Sequence, residues 1–433
     1  MTARSFQAIV VGAGPAGSSA ALALARAGVD VALVERGARP GEKNMFGGIL
    51  HRMPALERVF PDFWDRAPLQ RHIVKKVVTF MTPGRSLNVE YETESFDRTP
   101  YNGYTIHRPS FDAWLAGEAV AAGATLITRT TVDDVLLEGG KVAGIRVLRG
   151  QGELRAPVVV AADGVLSFTA ARAGLRRPRH DPSHLALGVK ALLELPKEVI
   201  DDRFGLVRDQ GASREFLGCT GAVHGGGFVY TNYDSISVGV VVHLGSLRES
   251  GKTPYDLLNG FLGQPQVAKL VRGARLLEYS AHLIPEGGWD MMPELVGDGI
   301  VVAGDAAGFC YAKGPNLEGI NLAAHSGTLA GEAVAEAVLA KDPSAGALQG
   351  YRRKLEESFV LQDLEKFRRA PRLLEIDRLY QDYPELICDF MDRMYRIDGQ
   401  PKQGLVDLAI QMARQKVGTG ALLKDAWTTW RSI

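Results

Sequence analysis

Gly304-Asp305-Ala306-Ala307-Gly308 follows the apolar run 300–303, at the point where a strand would hand over to a helix. A carboxylate held there cannot favour a phosphate, but it can accept a hydrogen bond from a sugar alcohol. The next backbone N–H groups, at a helix start, can face an anion. A second glycine-rich run, Gly12-Ala13-Gly14-Pro15-Ala16-Gly17, lies near the N-terminus. In such a run the first glycine makes a tight turn and the second lets backbone approach a pyrophosphate. The third lets helix and strand pack closely, and an acid about 20 residues on takes a ribose hydroxyl. Glu35 stands at that distance. It would repel a 2′-phosphate, so the site fits an adenosine ribose. Arg36 beside it belongs to the candidate site as a charge of the opposite sign. A polyol next to a pyrophosphate describes the ribityl diphosphate of FAD rather than NAD. The two runs together predict one FAD per chain, bound without a covalent link.

Glycine patterns are cheap in a chain with 49 glycines among 433 residues, so the surrounding elements must carry the reading. They do. The run 6–11 reads as a strand, 18–27 as an alanine-rich helix closed by Gly28, and 31–34 as a second strand ending in Glu35. Residues 108–124 read as an amphipathic helix with Phe111, Leu115 and Ala119 on one face. A strand at 125–127, a hairpin over 134–148 and a strand at 157–162 follow. From about 183 the pattern changes to long β runs at 185–195 and 227–244, the second broken by a turn at 232–235. The fold class is therefore α/β. A Rossmann-like FAD-binding domain with a parallel βαβ sheet (1–52, 105–182 and 294–340) holds an inserted antiparallel sheet domain (53–104 and 183–293). A helical C-terminal region, 341–433, has helices expected at 351–369, 384–396 and 404–416. The inserted sheet is expected to cover the flavin ring and shape the substrate pocket.

Composition bounds the function. Fifty basic and fifty acidic residues give zero formal charge, which points away from nucleic acid. The first strand begins near residue 6, and no apolar run is long enough to span a bilayer. The expected location is the cytoplasm, or the cytoplasmic face of a membrane held peripherally. Cys219, Cys310 and Cys388 are far apart, and no C-x-x-C occurs. Three scattered thiols cannot build an iron–sulfur cluster. No catalytic triad and no metal-ligand set stands out, as expected where a flavin ring carries the chemistry. His51 and His107 are candidates for proton transfer.

The ordered motifs at 12–17, Ala162-Asp163-Gly164 and Gly304-Asp305 resemble the glutathione-reductase-type FAD superfamily in its hydroxylase-like branch. Lys43-Asn44-Met45-Phe46-Gly47-Gly48 narrows the resemblance to the FixC/EtfC type of electron transfer flavoprotein:quinone oxidoreductase. So do Gly226-Gly227-Phe228-Val229-Tyr230-Thr231-Asn232 and Gly304 to Phe309. Gly319-Ile320-Asn321-Leu322-Ala323, then Ser326-Gly327, is similar to the same family.

The resemblance covers nearly the whole chain and implies a role. An electron transfer flavoprotein of alpha and beta subunits, of the bifurcating type, would hand over electrons. This chain would pass them through FAD, with a separate small ferredoxin-like iron–sulfur subunit, towards quinone. Asp163 and Gly164 would then set backbone near the pyrophosphate. Arg108 would either approach the FAD phosphates or pair with Asp112. Two loops are expected against the isoalloxazine. Lys43, Gly47 and Gly48 stand in or beside the first, and Gly314, Gly319 and Asn321 in the second. The alternative is a geranylgeranyl-reductase-like FAD enzyme reducing isoprenoid double bonds, although that family's Y-x-W-x-F-P signature is missing around Tyr230. Peripheral membrane contact is expected from the apolar segment 283–293 or from the tail 422–433, where Trp427 and Trp430 sit between Lys424 and Arg431.

Overall fold

The computed structural model describes residues 4–42, 48–147, 152–177, 180–313 and 316–432. Its centre is a six-stranded sheet. The order is Val296–Gly297, Ile300–Val302, Val158–Ala161, Ala8–Val11, Val31–Val34, Thr125–Ile127, all parallel except the first. The four inner strands are short runs of valine, isoleucine, leucine and alanine. Every one of their residues is buried, as a sheet covered on both faces requires. Helices Pro15–Arg26 and Ile320–Leu339 pack against each other beside it, closely enough that a Cβ on Gly327 would lie 2.0 Å from the Ala16 carbonyl oxygen. A four-stranded sheet carries the hairpin Val132–Glu138 and Lys141–Val147.

The long β runs form a second sheet. Its order is Arg275–Pro285, Leu185–Glu194, Ser235–His243, Gly225–Thr231, Gln210–Leu217, Leu69–Thr82, Gly103–Ile106 and Ile49–His51, with Arg85–Glu92 also paired to Leu69–Thr82. Its pairings are antiparallel apart from Gln210–Leu217 on Leu69–Thr82, which is parallel. Ile49–His51 and Gly103–Ile106 join this sheet rather than the nucleotide-side one. Side-chain alternation gives the sheet two faces. Val189, Ala191, Val238 and Val240 enter an apolar core with Phe261 of helix Pro254–Gly263. Lys190, Val241 and Glu215 face the other way.

The C-terminal region is helical, with one correction. The expected helix 351–369 is two helices, Ala345–Glu356 and Phe359–Lys366. Ser358 stops the first and caps the second: its hydroxyl donates to the Leu355 carbonyl and accepts from the Val360 N–H. The last helix, Thr419–Ser432, is tied down by Asp425, which accepts two hydrogen bonds from Arg378 and one from the Tyr383 hydroxyl, each 2.7 Å long.

Candidate functional site

One cavity of about 620 Å³ runs from the end of the parallel sheet to the polar face of the large sheet. At its nucleotide end the walls are mostly backbone. Gly12 has φ +98°, and a Cβ there would lie 2.4 Å from the Ala162 carbonyl oxygen. Gly14 is the N-cap of helix Pro15–Arg26 and has no side chain to occupy its first N–H groups; Pro15 starts the helix. Gly14, Pro15 and Ala16 line the cavity. Gly17 is in the packing rather than the lining: a Cβ there would meet the Gly12 carbonyl oxygen at 1.8 Å. Glu35 also lines the cavity, fixed by hydrogen bonds from the N–H groups of Ala13 (3.1 Å) and Gly37 (2.6 Å). Arg36 stands next to it, exposed and on the rim.

Arg108 makes the pairing expected of it. It makes a two-pronged pair with the buried Asp112, both contacts 2.8 Å. It also stands over the motif, with its guanidinium 3.7 Å from where a Gly14 Cβ would be. Burial pushes the Asp305 carboxyl up, Arg108 pulls it down and Asp112 pushes it up again, with a net rise. Asp305 lines the cavity. Gly304, at φ +66°, is wedged against Ala16 and Ala323 and gives its N–H to the Ser326 hydroxyl (3.1 Å), so it sets the turn.

Asp163 and Gly164 line the cavity too. One carboxylate oxygen of Asp163 accepts from the Thr169 N–H and hydroxyl, both 2.9 Å, while Oδ1 is buried without a hydrogen-bond partner. Gly48 and Gly319 line the middle, Gly48 against the Tyr230 ring. Asn321 is buried behind the wall, donating to Glu318 at 3.0 Å. Lys43, Gly47 and Gly314 lie outside the described residues.

The chain is similar to two family models. An FAD binding domain model matches residues 5–207, and an ETF-QO/FixC family C-terminal domain model matches residues 370–433. It is 42% identical over 421 residues to the probable electron transfer flavoprotein-quinone oxidoreductase YdiS of Escherichia coli K12, with 97% of each chain covered. It is 39% identical to protein FixC of Azotobacter vinelandii, over the full length of both. This chain belongs to the FixC/electron transfer flavoprotein–quinone oxidoreductase family. It binds FAD and is an FAD-dependent electron-transfer oxidoreductase. Solved structures agree on the fold. A geranylgeranyl bacteriochlorophyll reductase-like protein from Thermoplasma acidophilum aligns at a TM-score of 0.70, with 20% identity over 96% of this chain and 97% of that one. The myxobacterial halogenase CndH aligns at 0.62, with 19% identity over 96% and 90%.

The residues fit FAD. A cradle that a Cβ would close at Gly12, an uncapped helix start at Gly14 and the unpartnered Asp163 oxygen together offer backbone donors for a diphosphate and an acceptor for a hydroxyl.

The inserted sheet was expected to shape the pocket, but sequence reasoning did not find which of its side chains do so. Lys190, Glu215, Tyr230, His243, His282 and Glu286 line the other end of the cavity. Burial brings the Lys190 ammonium down to about 8, against the pull of Glu278. Burial also raises Glu215 and lowers His282 to about 4. A lysine inside the apolar run Leu185–Glu194 is a signal that was there to be read. The two histidines singled out, His51 and His107, are both pushed down by burial, so neither is a ready proton donor at neutral pH. The segment 283–293 is not an exposed apolar patch. Leu283, Ile284 and Pro285 line the cavity, and Trp289 and Met292 pack on the main core.

Proposed function

We propose that this chain is the quinone-side FAD subunit of an electron-transfer complex. It takes electrons from an electron transfer flavoprotein pair, alpha and beta, of the bifurcating type, and passes them towards quinone with a separate ferredoxin-like iron–sulfur subunit. The observation that carries this reading is the cavity of about 620 Å³. It joins a dinucleotide cradle to a polar sheet face, in a chain 42% identical to a relative named for electron transfer flavoprotein and quinone.

In this reading the helix start at Gly14, Pro15 and Ala16 holds the diphosphate, with Gly12 and Gly17 allowing the approach. Arg108 adds a charge-assisted donor. Glu35 takes the adenosine ribose and Asp305 a ribityl hydroxyl, while Asp163 and Gly164 close the diphosphate end. Backbone at Gly48 and Gly319 borders the ring, and the large sheet excludes water above it. When bound, FAD supplies a carrier able to exchange electrons with both a protein donor and a small acceptor.

Among the described residues no helix is long and apolar enough to cross a membrane, and the tail is the segment suited to touch one. Trp427 and Trp430 are 57% and 73% exposed, Arg431 lies over the Trp427 ring, and Arg431 repels Arg369, which also sits among Arg368 and Arg372. Tryptophan beside basic residues suits a membrane interface. Flotation with anionic liposomes tests this: wild type floats, and removal of residues 422–433 leaves it in the soluble fraction with its FAD content intact. Equal flotation of both forms excludes the tail as anchor. The electron-transfer reading is tested by reconstitution. With the ferredoxin-like subunit present, reduced electron transfer flavoprotein should bleach this chain's flavin, and quinone should restore the colour; failure of either transfer refutes it.

A further inference from the structure

A carboxylate–imidazole pair sits at the sheet end of the cavity. His243 closes strand Ser235–His243, and Glu286 follows strand Arg275–Pro285. Both strands flank Leu185–Glu194, where Ala186 pairs with His243 on one side and Ile284 on the other, so the register brings the two side chains together. His243 Nε2 lies 3.2 Å from Glu286 Oε2, and the side chains are 15% and 7% exposed. Both line the cavity.

Behind the pair the path continues outward. The His243 N–H donates to the His224 carbonyl at 2.9 Å, and the two imidazoles are 6.3 Å apart, edge to face. That gap is within reach of a proton passing through one water. His224 Nε2 is 2.7 Å from Asp377 Oδ1, and the Asp377 side chain is 89% exposed. Tyr380 stacks on His224 at 4.7 Å, and its hydroxyl is committed to the Leu374 carbonyl, so it holds the ring without competing for Nε2.

We propose that the His243–Glu286 pair delivers a solvent proton to a quinone carbonyl reduced in this cavity, with His224 and Asp377 as the relay to the surface. The proposal rests on the quinone-side reading given above. Quinone becomes hydroquinone by gaining two electrons and two protons, with one O–H bond formed at each oxygen. Bound FAD in its anionic two-electron-reduced form would supply the two electrons and one of the protons. The second proton leaves His243, which is recharged through His224 from solvent.

The groups facing His243 are Glu286 from the neighbouring strand end, Glu375 beyond helix Ala370–Leu374, and His224 from the turn before Gly225–Thr231. Burial disfavours the charged ring, but the hydrogen bond and charge of Glu286, helped by Glu375, outweigh it and hold the ring protonated above its ordinary range. His51 and His282, the other histidines of the lining, are pushed the opposite way.

The test uses the holoprotein, reduced anaerobically and mixed with either a short-chain quinone or ferricenium, a one-electron acceptor that takes no proton. For His243→Gln the ratio of quinone rate to ferricenium rate should fall about 100-fold, the lower end of what a general acid is worth, and for His224→Gln, which removes a relay and leaves the acid in place, it should fall less. A second readout needs no turnover: the His243 ring signal, followed by NMR, should titrate at lower pH in Glu286→Gln than in wild type. Unchanged ratios in both variants overturn the proposal. So does an equal fall with both acceptors, which marks a structural role, or an unmoved His243 titration. A wild-type protein that reduces ferricenium but never quinone overturns the quinone reading itself, and this proposal with it.

Discussion

The two ends of the cavity are built in opposite ways. The nucleotide end is backbone, turned by Gly12 and Gly304 and exposed at the Gly14 helix start, all within short stretches of chain. The sheet end is side chains, with Lys190, Glu215, His243 and Glu286 arriving from four separate elements. The first has almost no freedom to vary, because its function is space for backbone to approach. The second is positioned by strand register, where a shift of one residue would turn strand residues such as Lys190 and Glu215 into the apolar core. The contrast predicts brittle failure at one end and tunable chemistry at the other.

The largest expected effect sharpens the nucleotide end. Asp112→Ala leaves the Arg108 guanidinium buried beside Gly14 without its carboxylate, and losing one member of such a pair costs about 3–5 kcal/mol. Thermal melting should show that loss in apoprotein and a smaller one with FAD bound, because the diphosphate would stand in for the carboxylate. Equal losses in both would remove Arg108 from the phosphate site. Gly17→Ala comes next. Its Cβ has no room against the Gly12 carbonyl, and overpacking of this kind costs about 3 kcal/mol. Purified protein should carry well under one FAD per chain; full occupancy would break the view that this turn is rigid.

Asp305→Ala is milder. It should leave the fold intact and weaken FAD binding by about 1–3 kcal/mol, the worth of one hydrogen bond to a charged group. A dissociation constant within twofold of wild type would show that Asp305 does not touch the cofactor. The smallest effect lies at the sheet end. His243 has a raised pKa in the folded chain, so its pairing stabilises the fold fully below the unfolded histidine pKa of about 6.5. That contribution is lost as pH rises through the folded value. Denaturant melts of wild type and His243→Gln should therefore differ at low pH and converge at high pH. A gap that widens with pH would mean that the ring is stabilised neutral.

The sequence made the first end legible and left the second hidden, for a physical reason. The turn at residues 12–17, the acid at 35 and the strand before Asp305 are local patterns with their own steric logic. Of these, Gly12, Gly14, Pro15, Ala16, Glu35 and Asp305 line the cavity, while Gly17 packs helix against strand, as the third glycine of such a run does, and Gly304 sets the turn. The pairing of His243 with Glu286 depends on two strands meeting across a third, and no local pattern encodes that. His51 and His107 looked equally plausible until burial was known. The helix break at Ser358 was readable in principle, since serine is a common cap, but it sits inside a run of helix-forming residues. The apolar segment 283–293 misled because hydrophobic sequence marks a buried wall as readily as an exposed patch.

The most direct test of the account follows the flavin absorbance on anaerobic rapid mixing. Oxidised holoprotein is mixed with NADH alone, and separately, together with the ferredoxin-like subunit, with the reduced electron transfer flavoprotein pair followed by quinone. The account predicts slow bleaching by NADH, fast bleaching by the protein donor and rapid return of colour with quinone. Fast bleaching by NADH without any partner, or no bleaching by the protein donor, would contradict it.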